Sequence, residues 1–396
     1  MIWPTKKLGD CLAQFDRGIS WSRKDEGGTV AVLRIPNIQE GHINFHDLKH
    51  ISVKNGNGEL HENDIVMVAS NGNPDLVGRS ALVTENEKGM RFASFLVRLK
   101  FDDSKLLPQY AHLFLLTPIF KRELRRKIAT TSGIYNLRKD HIEKIKIPLP
   151  PLDIQKQIVE RLDKIAEAQK LNDDLIQKAD ELYRSLLHSE LNAKFKNQSA
   201  KSQFKIKKLV DVAEIIGGFA FKSDKLVNKK IAESYLPVIK IGNVLKSGKL
   251  DISNAQYHQF DKSLEKYLIK QGDILVAMTG ATVGKVVCSA YDNILLNQRV
   301  GLIRTNKDVA DQDFIGMILE TKQFYDYCQR TAGGGAQGNI SPSQIMQYEI
   351  PLPQLKTQKQ IVAKLSAAQE YKTQLLSQKS KFKELFDSVL AKSFNN

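Results

Sequence analysis

Apolar positions along this chain repeat on two periods, and the order of the two periods occurs twice. Short aliphatic and β-branched runs come first in each half. They are Val30-Ala31-Val32-Leu33-Arg34-Ile35 and Asp64-Ile65-Val66-Met67-Val68-Ala69, then Leu236-Pro237-Val238-Ile239-Lys240-Ile241 and Asp273-Ile274-Leu275-Val276-Ala277-Met278. Runs of this length and composition predict strands. Asn37 follows the first strand as Asn243 follows its counterpart. Helical patches at 108–127 and 311–329 come next, so the globular parts are predicted as mixed α/β. Each half closes on a proline hinge. Ile147-Pro148-Leu149-Pro150-Pro151-Leu152 recurs 203 residues later as Ile350-Pro351-Leu352-Pro353-Gln354-Leu355, and each copy leads into Gln-Lys-Gln-Ile-Val, at 155–159 and 358–362. A module duplicated at this separation implies a pseudo-two-fold internal repeat.

Beyond each hinge the apolar period lengthens. Positions sampled alternately four and three residues apart are Ile158, Leu162, Ile165, Gln169, Asn172, Ile176, Ala179, Tyr183 and Leu186 in the first copy. In the second they are Ile361, Leu365, Ala368, Lys372, Leu375, Lys379, Phe382, Phe386 and Val389. Seven of nine are apolar in each, which predicts a coiled-coil seam on a long helix. Asp153 is a candidate N-cap for the first helix, and Thr357 with Gln360 has capping-box spacing in the second. Neither helix is stable alone, so each is expected to pack on its duplicate, antiparallel about a pseudo-dyad. The alternative is that each folds back on its own globular part. A helix of ~37 residues at ~1.5 Å rise would hold the globular parts ~55 Å apart at most. The expected division is a globular domain at 1–150, a spacer helix at 151–190, a basic linker at 191–208, a second globular domain at 209–353 and a second spacer helix at 354–396.

The net charge of +15 suggests a polyanionic partner, but its distribution qualifies that reading. Residues 5–147 carry 23 basic and 17 acidic side chains, and 191–210 carry six lysines and no acid. Residues 211–350 are nearly neutral, with 16 basic against 15 acidic, so if this region binds DNA it must do so through a local patch. Cys11, Cys288 and Cys328 have neither metal nor disulfide spacing. No apolar run approaches the roughly 18 residues of a membrane helix, and the N-terminal residues carry no apolar signal region. A cytoplasmic location without membrane contact is expected.

The chain offers little catalytic chemistry. Gly280-Ala281-Thr282-Val283-Gly284-Lys285 invites a phosphate-loop reading but fails on spacing, and it leads into Val286-Val287-Cys288, which reads as a strand. Asn73-Pro74-Asp75-Leu76 lacks the second proline and the aromatic ring of an amino-methyltransferase motif, so a turn is the better reading. The eight histidines form no metal pair at helical spacing. Two loops are in register with the hinge repeat: Thr130-Thr131-Ser132-Gly133-Ile134-Tyr135-Asn136-Leu137 and Gly333-Gly334-Gly335-Ala336-Gln337-Gly338-Asn339-Ile340, with Asn136 and Asn339 203 apart. Amide side chains can read adenine edges, whereas a structural loop with an Asn at positive φ is the bland alternative. Lys121-Arg122-Glu123-Leu124-Arg125-Arg126-Lys127 is either a phosphate-binding stripe or a solvated face.

The two-fold repeat, the Ile-Pro-Leu-Pro-Pro-Leu hinge, the Gln-Lys-Gln-Ile-Val helix start and the Gly-Ala-Thr-Val-Gly-Lys turn resemble the specificity subunit of type I restriction–modification enzymes, over nearly the whole chain. The resemblance implies two target recognition domains, each reading one half of a split double-stranded DNA site. It implies two antiparallel spacer helices that set the unread gap and dock two methyltransferase subunits, with restriction (motor-nuclease) subunits completing the complex. The specificity chain would be non-catalytic and hold no cofactor. S-adenosylmethionine, ATP and Mg would reside on the partner subunits. Matching positions differ, as at Asn71 against Thr279 and Tyr135 against Gly338, so the resemblance leads us to expect an asymmetric target. The candidate DNA-binding residues are Asn71, Asn73, Arg79, Tyr135 and Asn136 in the first half, and Thr279, Gly280, Lys285, Gln337 and Asn339 in the second. Two other readings stay open: a coiled-coil adaptor without DNA specificity, and an active DNA enzyme with a cryptic site.

Overall fold

The computed structural model describes residues 3–39, 41–52, 58–128, 130–131, 133–190, 204–243, 250–333 and 338–394. The chain divides into two compact units. Unit 1 is Met1–Leu175 with Leu375–Asn396, and unit 2 is Ile176–Gln374.

In unit 1 a four-stranded antiparallel sheet runs in the order Leu12–Arg17, Leu96–Phe101, Ile65–Val68, Ser80–Leu82. A second sheet joins Lys49–Ile51, Glu26–Leu33 and Arg91–Phe92, the last pair parallel. The run Ile65–Val68 reads as unbroken apolar sequence because both its faces are buried. Ile65 and Met67 join the cluster under three helices, and Val66 and Val68 join the one containing Leu33 and Phe92. The helices are α1 (Pro108–Leu116), α2 (Pro118–Lys127) and α3 (Lys139–Glu143), and they bury Tyr110, Phe114 and Phe120 completely. The first long helix, α4, spans Leu152–His188.

Unit 2 repeats this plan. Its antiparallel sheet runs Ala213–Gly217, Val300–Thr305, Ile274–Ala277, Val286–Cys288. Its mixed sheet runs Gln256–Gln259, Tyr235–Ile239, Ile294–Leu296, Leu268–Ile269, again with one parallel pair. Helices α5 (Gln312–Leu319), α6 (Lys322–Thr331) and α7 (Pro342–Ile345) follow, and the second long helix, α8, spans Leu355–Phe394. The expected mixed α/β repeat is therefore observed: the antiparallel sheets share one strand order, and the mixed sheet of unit 2 carries one further strand, Leu268–Ile269.

The hinge residues pair with the start of each repeat. Lys146–Pro148 lies antiparallel to Thr5–Lys7, and Glu349–Leu352 to Lys205–Lys208. The long helices begin one or two residues after the last hinge proline, so Asp153 and Thr357 lie inside the first turn and are not caps. The fixed point is the repeated glutamine. Gln155 is fully buried; it accepts from Leu107 N (2.9 Å) and donates to Lys105 O (3.0 Å) and Pro150 O (2.9 Å). Gln358 does the same with Asp311 N (2.8 Å), Val309 O (3.2 Å) and Pro353 O (2.8 Å). A hydrogen-bonded buried amide locks the direction in which each helix leaves its domain.

All nine sampled seam positions of α4 are buried or half-buried, and so are those of α8 apart from Lys379. Both expected modes of packing occur within each unit. In unit 1, Ile158 and Leu162 of α4 pack on their own domain, while Phe394 at the end of α8 stacks near Tyr110 (4.8 Å) and Phe114 (5.4 Å). In unit 2, Ile361 and Leu365 of α8 pack on theirs, joined by Tyr183, Leu186 and Leu187 of α4. The helix segments pair antiparallel in both. Asp173 meets Lys379 at 2.8 Å in unit 1, and Asp180 meets Lys372 and Glu190 meets Lys364 in unit 2. Asn172, buried in the unit 1 seam, donates to Leu375 O (3.0 Å), the position 203 residues on, so repeat-related residues face each other there. Among the described residues no helix is long and apolar enough to cross a membrane.

Candidate nucleic-acid interface

The two loops singled out in each half are paired by main-chain hydrogen bonds. In unit 1, Ser70–Asn71 lies antiparallel to Ile134–Asn136, with Tyr135 opposite Asn71 and Asn136 opposite Ser70. Thr130–Thr131 adds a third strand. Ser70 Oγ donates to Asn136 Oδ1 (2.5 Å). Asn71 Oδ1 accepts from Asn73 N (2.8 Å) and Asn73 Oδ1 from Asp75 N (3.0 Å), two successive Asx turns that set the loop's path. The oxygens of all three asparagines are thus occupied inside the loop. Their amide N–H groups, and the Tyr135 hydroxyl, have no partner among the described residues, so the loop presents donors outward. Ile134 is exposed beside them.

Arg79 ends the same turn. Val68 N donates to Arg79 O (2.8 Å) and Gly78 N to Val68 O (2.9 Å). In unit 2, Ala277 N donates to Lys285 O (2.9 Å) and Gly284 N to Ala277 O (2.9 Å), so Arg79 and Lys285 are equivalent despite the longer first turn. Both glycines have positive φ, +90° and +76°, and a Cβ there would lie 2.3 Å from Leu124 Cδ2 or 2.6 Å from Cys328 Cβ. These glycines let α2 and α6 lie directly against the turn.

The unit 2 loops pair as Thr279 with Asn339, and Gly280 N donates to Gly338 O (2.9 Å). This register corrects one sequence match: Thr279 corresponds to Ser70, not to Asn71, because each lies opposite the repeated asparagine. Asn339 is exposed, and Gly280 at φ +71° leaves open space around itself. Gly280–Thr282 forms a single turn that runs into the strand Val286–Cys288, as its sequence indicated. Lys285 is turned away from the paired loops, its Nζ 4.7 Å from the centre of the Tyr325 ring. Gln337 lies outside the described residues.

The structure thus brings Asn71, Asn73, Tyr135 and Asn136 together, and Thr279, Gly280 and Asn339 together. Arg79 and Lys285 stand at the far end of their turns. Sequence reasoning missed Arg17, whose exposed guanidinium donates to Leu137 O (3.4 Å) beside Asn136. It comes from a strand 120 residues away, and no sequence signal connects the two. The basic run on α2 is partly spent on ion pairs, Arg125 with Asp75 and Arg126 with Glu123 (2.8 Å). Among the described residues no group of three or more His, Cys, Asp or Glu side chains could hold a metal ion.

The sequence matches the family described as type I restriction modification DNA specificity domain, once over residues 3–181 and again over 201–381. A relative from Methanocaldococcus jannaschii, the type I restriction enzyme MjaVIII specificity subunit, is 25% identical over 368 residues, covering 88% of this chain and 81% of the relative. Among solved structures, the type I restriction–modification S subunit from M. genitalium aligns with a TM-score of 0.59 at 14% identity, covering 100% of this chain and 96% of that one. A chain from a study of assembly and conformational transition of the type I R-M system aligns with a TM-score of 0.64 at 16% identity, covering 100% and 98%. These two likenesses are of fold.

Proposed function

The chain belongs to the family of type I restriction–modification DNA specificity subunits, and we propose that its two paired-loop surfaces read the two halves of an asymmetric, split DNA target. The supporting observation is that the same loop pairing recurs in both units with different side chains. Asn71, Asn73, Tyr135 and Asn136 present amide and phenol groups in one; the described residues of the other, Thr279, Gly280 and Asn339, offer a hydroxyl, a bare glycine and an amide. Amide groups pair with adenine edges and donate to base acceptors in the major groove, so different sets select different sequences. Arg79, which has no side-chain partner among the described residues, would contact phosphate and fix register, whereas Lys285 lies on the Tyr325 ring and is not assigned that role.

In this reading α4 and α8 act as the ruler between half-sites and as the docking surface for two methyltransferase subunits, with restriction subunits joining the same complex. The methyltransferase subunits would bring S-adenosylmethionine and the restriction subunits ATP and Mg. This chain's own part is to bind DNA and position those subunits. The test is to map modified adenines in a host carrying the cognate methyltransferase subunit, with and without this chain. A split, non-palindromic motif that appears only with the chain is expected. No chain-dependent methylation from a stable complex, or a perfect palindrome, would contradict it.

A further inference from the structure

Unit 1 contains a cavity of about 430 Å³ between the Pro74–Ser80 turn and helices α1 and α2. Its floor is apolar, formed by Val77, Leu115, Leu116, Leu124 and Ile128. Its rim carries Arg79, Lys121, Arg122 and Arg125, against one carboxylate, Asp75, which holds Arg125. Arg79 and Arg122 have no side-chain partner among the described residues. Ser80 also lines the cavity; it is 1% exposed, and its hydroxyl is buried without a hydrogen-bond partner.

The duplicate in unit 2 is an internal control. At the positions of Arg79, Lys121 and Arg122 stand Lys285, Tyr325 and Asp326. Lys285 lies on the Tyr325 ring, and Gln329, at the position of Arg125, donates to Val283 O (2.7 Å). In unit 2 each of these groups is engaged, Asp326 by Lys322 (2.5 Å); in unit 1 Arg79 and Arg122 are left beside the cavity. Planar guanidinium groups pair in a forked geometry with phosphate oxygens, and an apolar floor of this size accepts a flat ring system.

We propose that this cavity is a binding site for a nucleoside monophosphate unit, the phosphate held by Arg79 and Arg122 and the base laid against Leu116 and Leu124. The unit is either a free mononucleotide or one nucleotide of a DNA strand, and the chemistry is the same for both. The proposal goes beyond the reading of half-sites by the paired loops and is tested without that reading.

The experiment is calorimetric titration of the full chain, free of DNA, with deoxyadenosine 5′-monophosphate, with inorganic phosphate and with deoxyadenosine. The nucleotide is expected to bind more tightly than either fragment. Arg122→Gln should weaken it roughly tenfold, the loss of one charged hydrogen-bonding partner. Leu116→Trp, which fills the floor and leaves the charges in place, should abolish it. Adding a DNA duplex then separates the sources. Displacement of the nucleotide identifies a strand nucleotide as occupant, and simultaneous binding identifies a free one. No nucleotide binding, or binding unchanged in both variants, overturns the proposal and leaves the methylation test untouched.

Discussion

The contact between the first covering helix and the sheet is built in opposite ways in the two units. In unit 1 it is mostly apolar: half-buried Leu82, Leu116 and Phe386 pack on the core, and His112 of the same covering helix is buried. In unit 2 the corresponding positions are Cys288, Glu320, Tyr183 and Gly316. There Cys288, Glu320 and Tyr183 line an open cleft of about 770 Å³, and a Cβ on Gly316 would sit 3.0 Å from the Cys288 sulfur. Desolvation by the cleft walls, with Glu320 alongside, pushes the Cys288 thiol up to about 12, and desolvation raises the Glu320 carboxyl in turn. One backbone plan therefore tolerates either polarity at this contact. What the units share, beyond the sheet plan, includes the buried glutamine at each helix start, the positive-φ glycine of each turn, and the loop pairing.

The largest expected difference is in acid. Burial lowers the pKa of His112 from 6.5 to about 4, partly offset by its bond to the Ser80 main chain, and its Nε2 is buried without a partner. The folded value lies below the unfolded one, so the unfolded chain binds the extra proton first. The stability this histidine permits is present above pH 6.5 and is lost as pH falls towards 4, about 3 kcal/mol in all. Glu320 has the opposite sign: its raised carboxyl favours the folded unit 2 at low pH and opposes it as pH rises. Both tryptophans, Trp3 and Trp21, lie in unit 1, so their fluorescence follows that unit alone. Urea melts followed by tryptophan should shift steeply to lower midpoint between pH 7 and pH 4.5, and His112→Leu should flatten the shift. An equal shift in the variant would remove His112 as the cause.

The shared hinge gives a smaller effect that should be alike in both units. Gln155→Ala or Gln358→Ala removes a buried amide and leaves a part-buried main-chain N–H unpaired, at Leu107 or Asp311, and should cost about 2 kcal/mol each. Chemical denaturation of the two variants checks the equivalence. A cost confined to one of them would break the claim that the glutamine is a common fastening.

The smallest effect has the opposite direction. Asn172 Oδ1 is buried without a partner where Asn172 faces Leu375. Asn172→Leu should stabilise the seam by about 1 kcal/mol, raising Tm by about 2–4 °C, and weaken the preference for one helix register. A fall in Tm would show that the single bond to Leu375 O outweighs the orphaned oxygen.

Much of this was legible in the sequence. The seam spacing identified 17 of 18 sampled positions that are buried or half-buried, because a seven-residue apolar pattern leaves a helix one face to hide. The 203-residue register paired Asn136 with Asn339 and led to the loops, although Thr279 was matched one residue out. The caps were misread because glutamines beyond the first turn, bonding to loops about 50 residues away, secure the helices. The role of Arg17, the isolation of His112 and the cavity beside Arg79 were not legible. Each depends on which strand or helix lies alongside, and spacing along the chain carries no trace of that.

The most direct test of the account is a pair of single substitutions read by methylome sequencing in the presence of the methyltransferase subunits. Asn136→Ala and Asn339→Ala remove equivalent side chains from the two paired-loop surfaces. Each should relax or change the bases read in one half of the motif and leave the other half and the gap length as they were, with the altered half differing between variants. The same half changing in both, or a uniform loss of methylation with no change in motif, would contradict the assignment of one half-site to each unit.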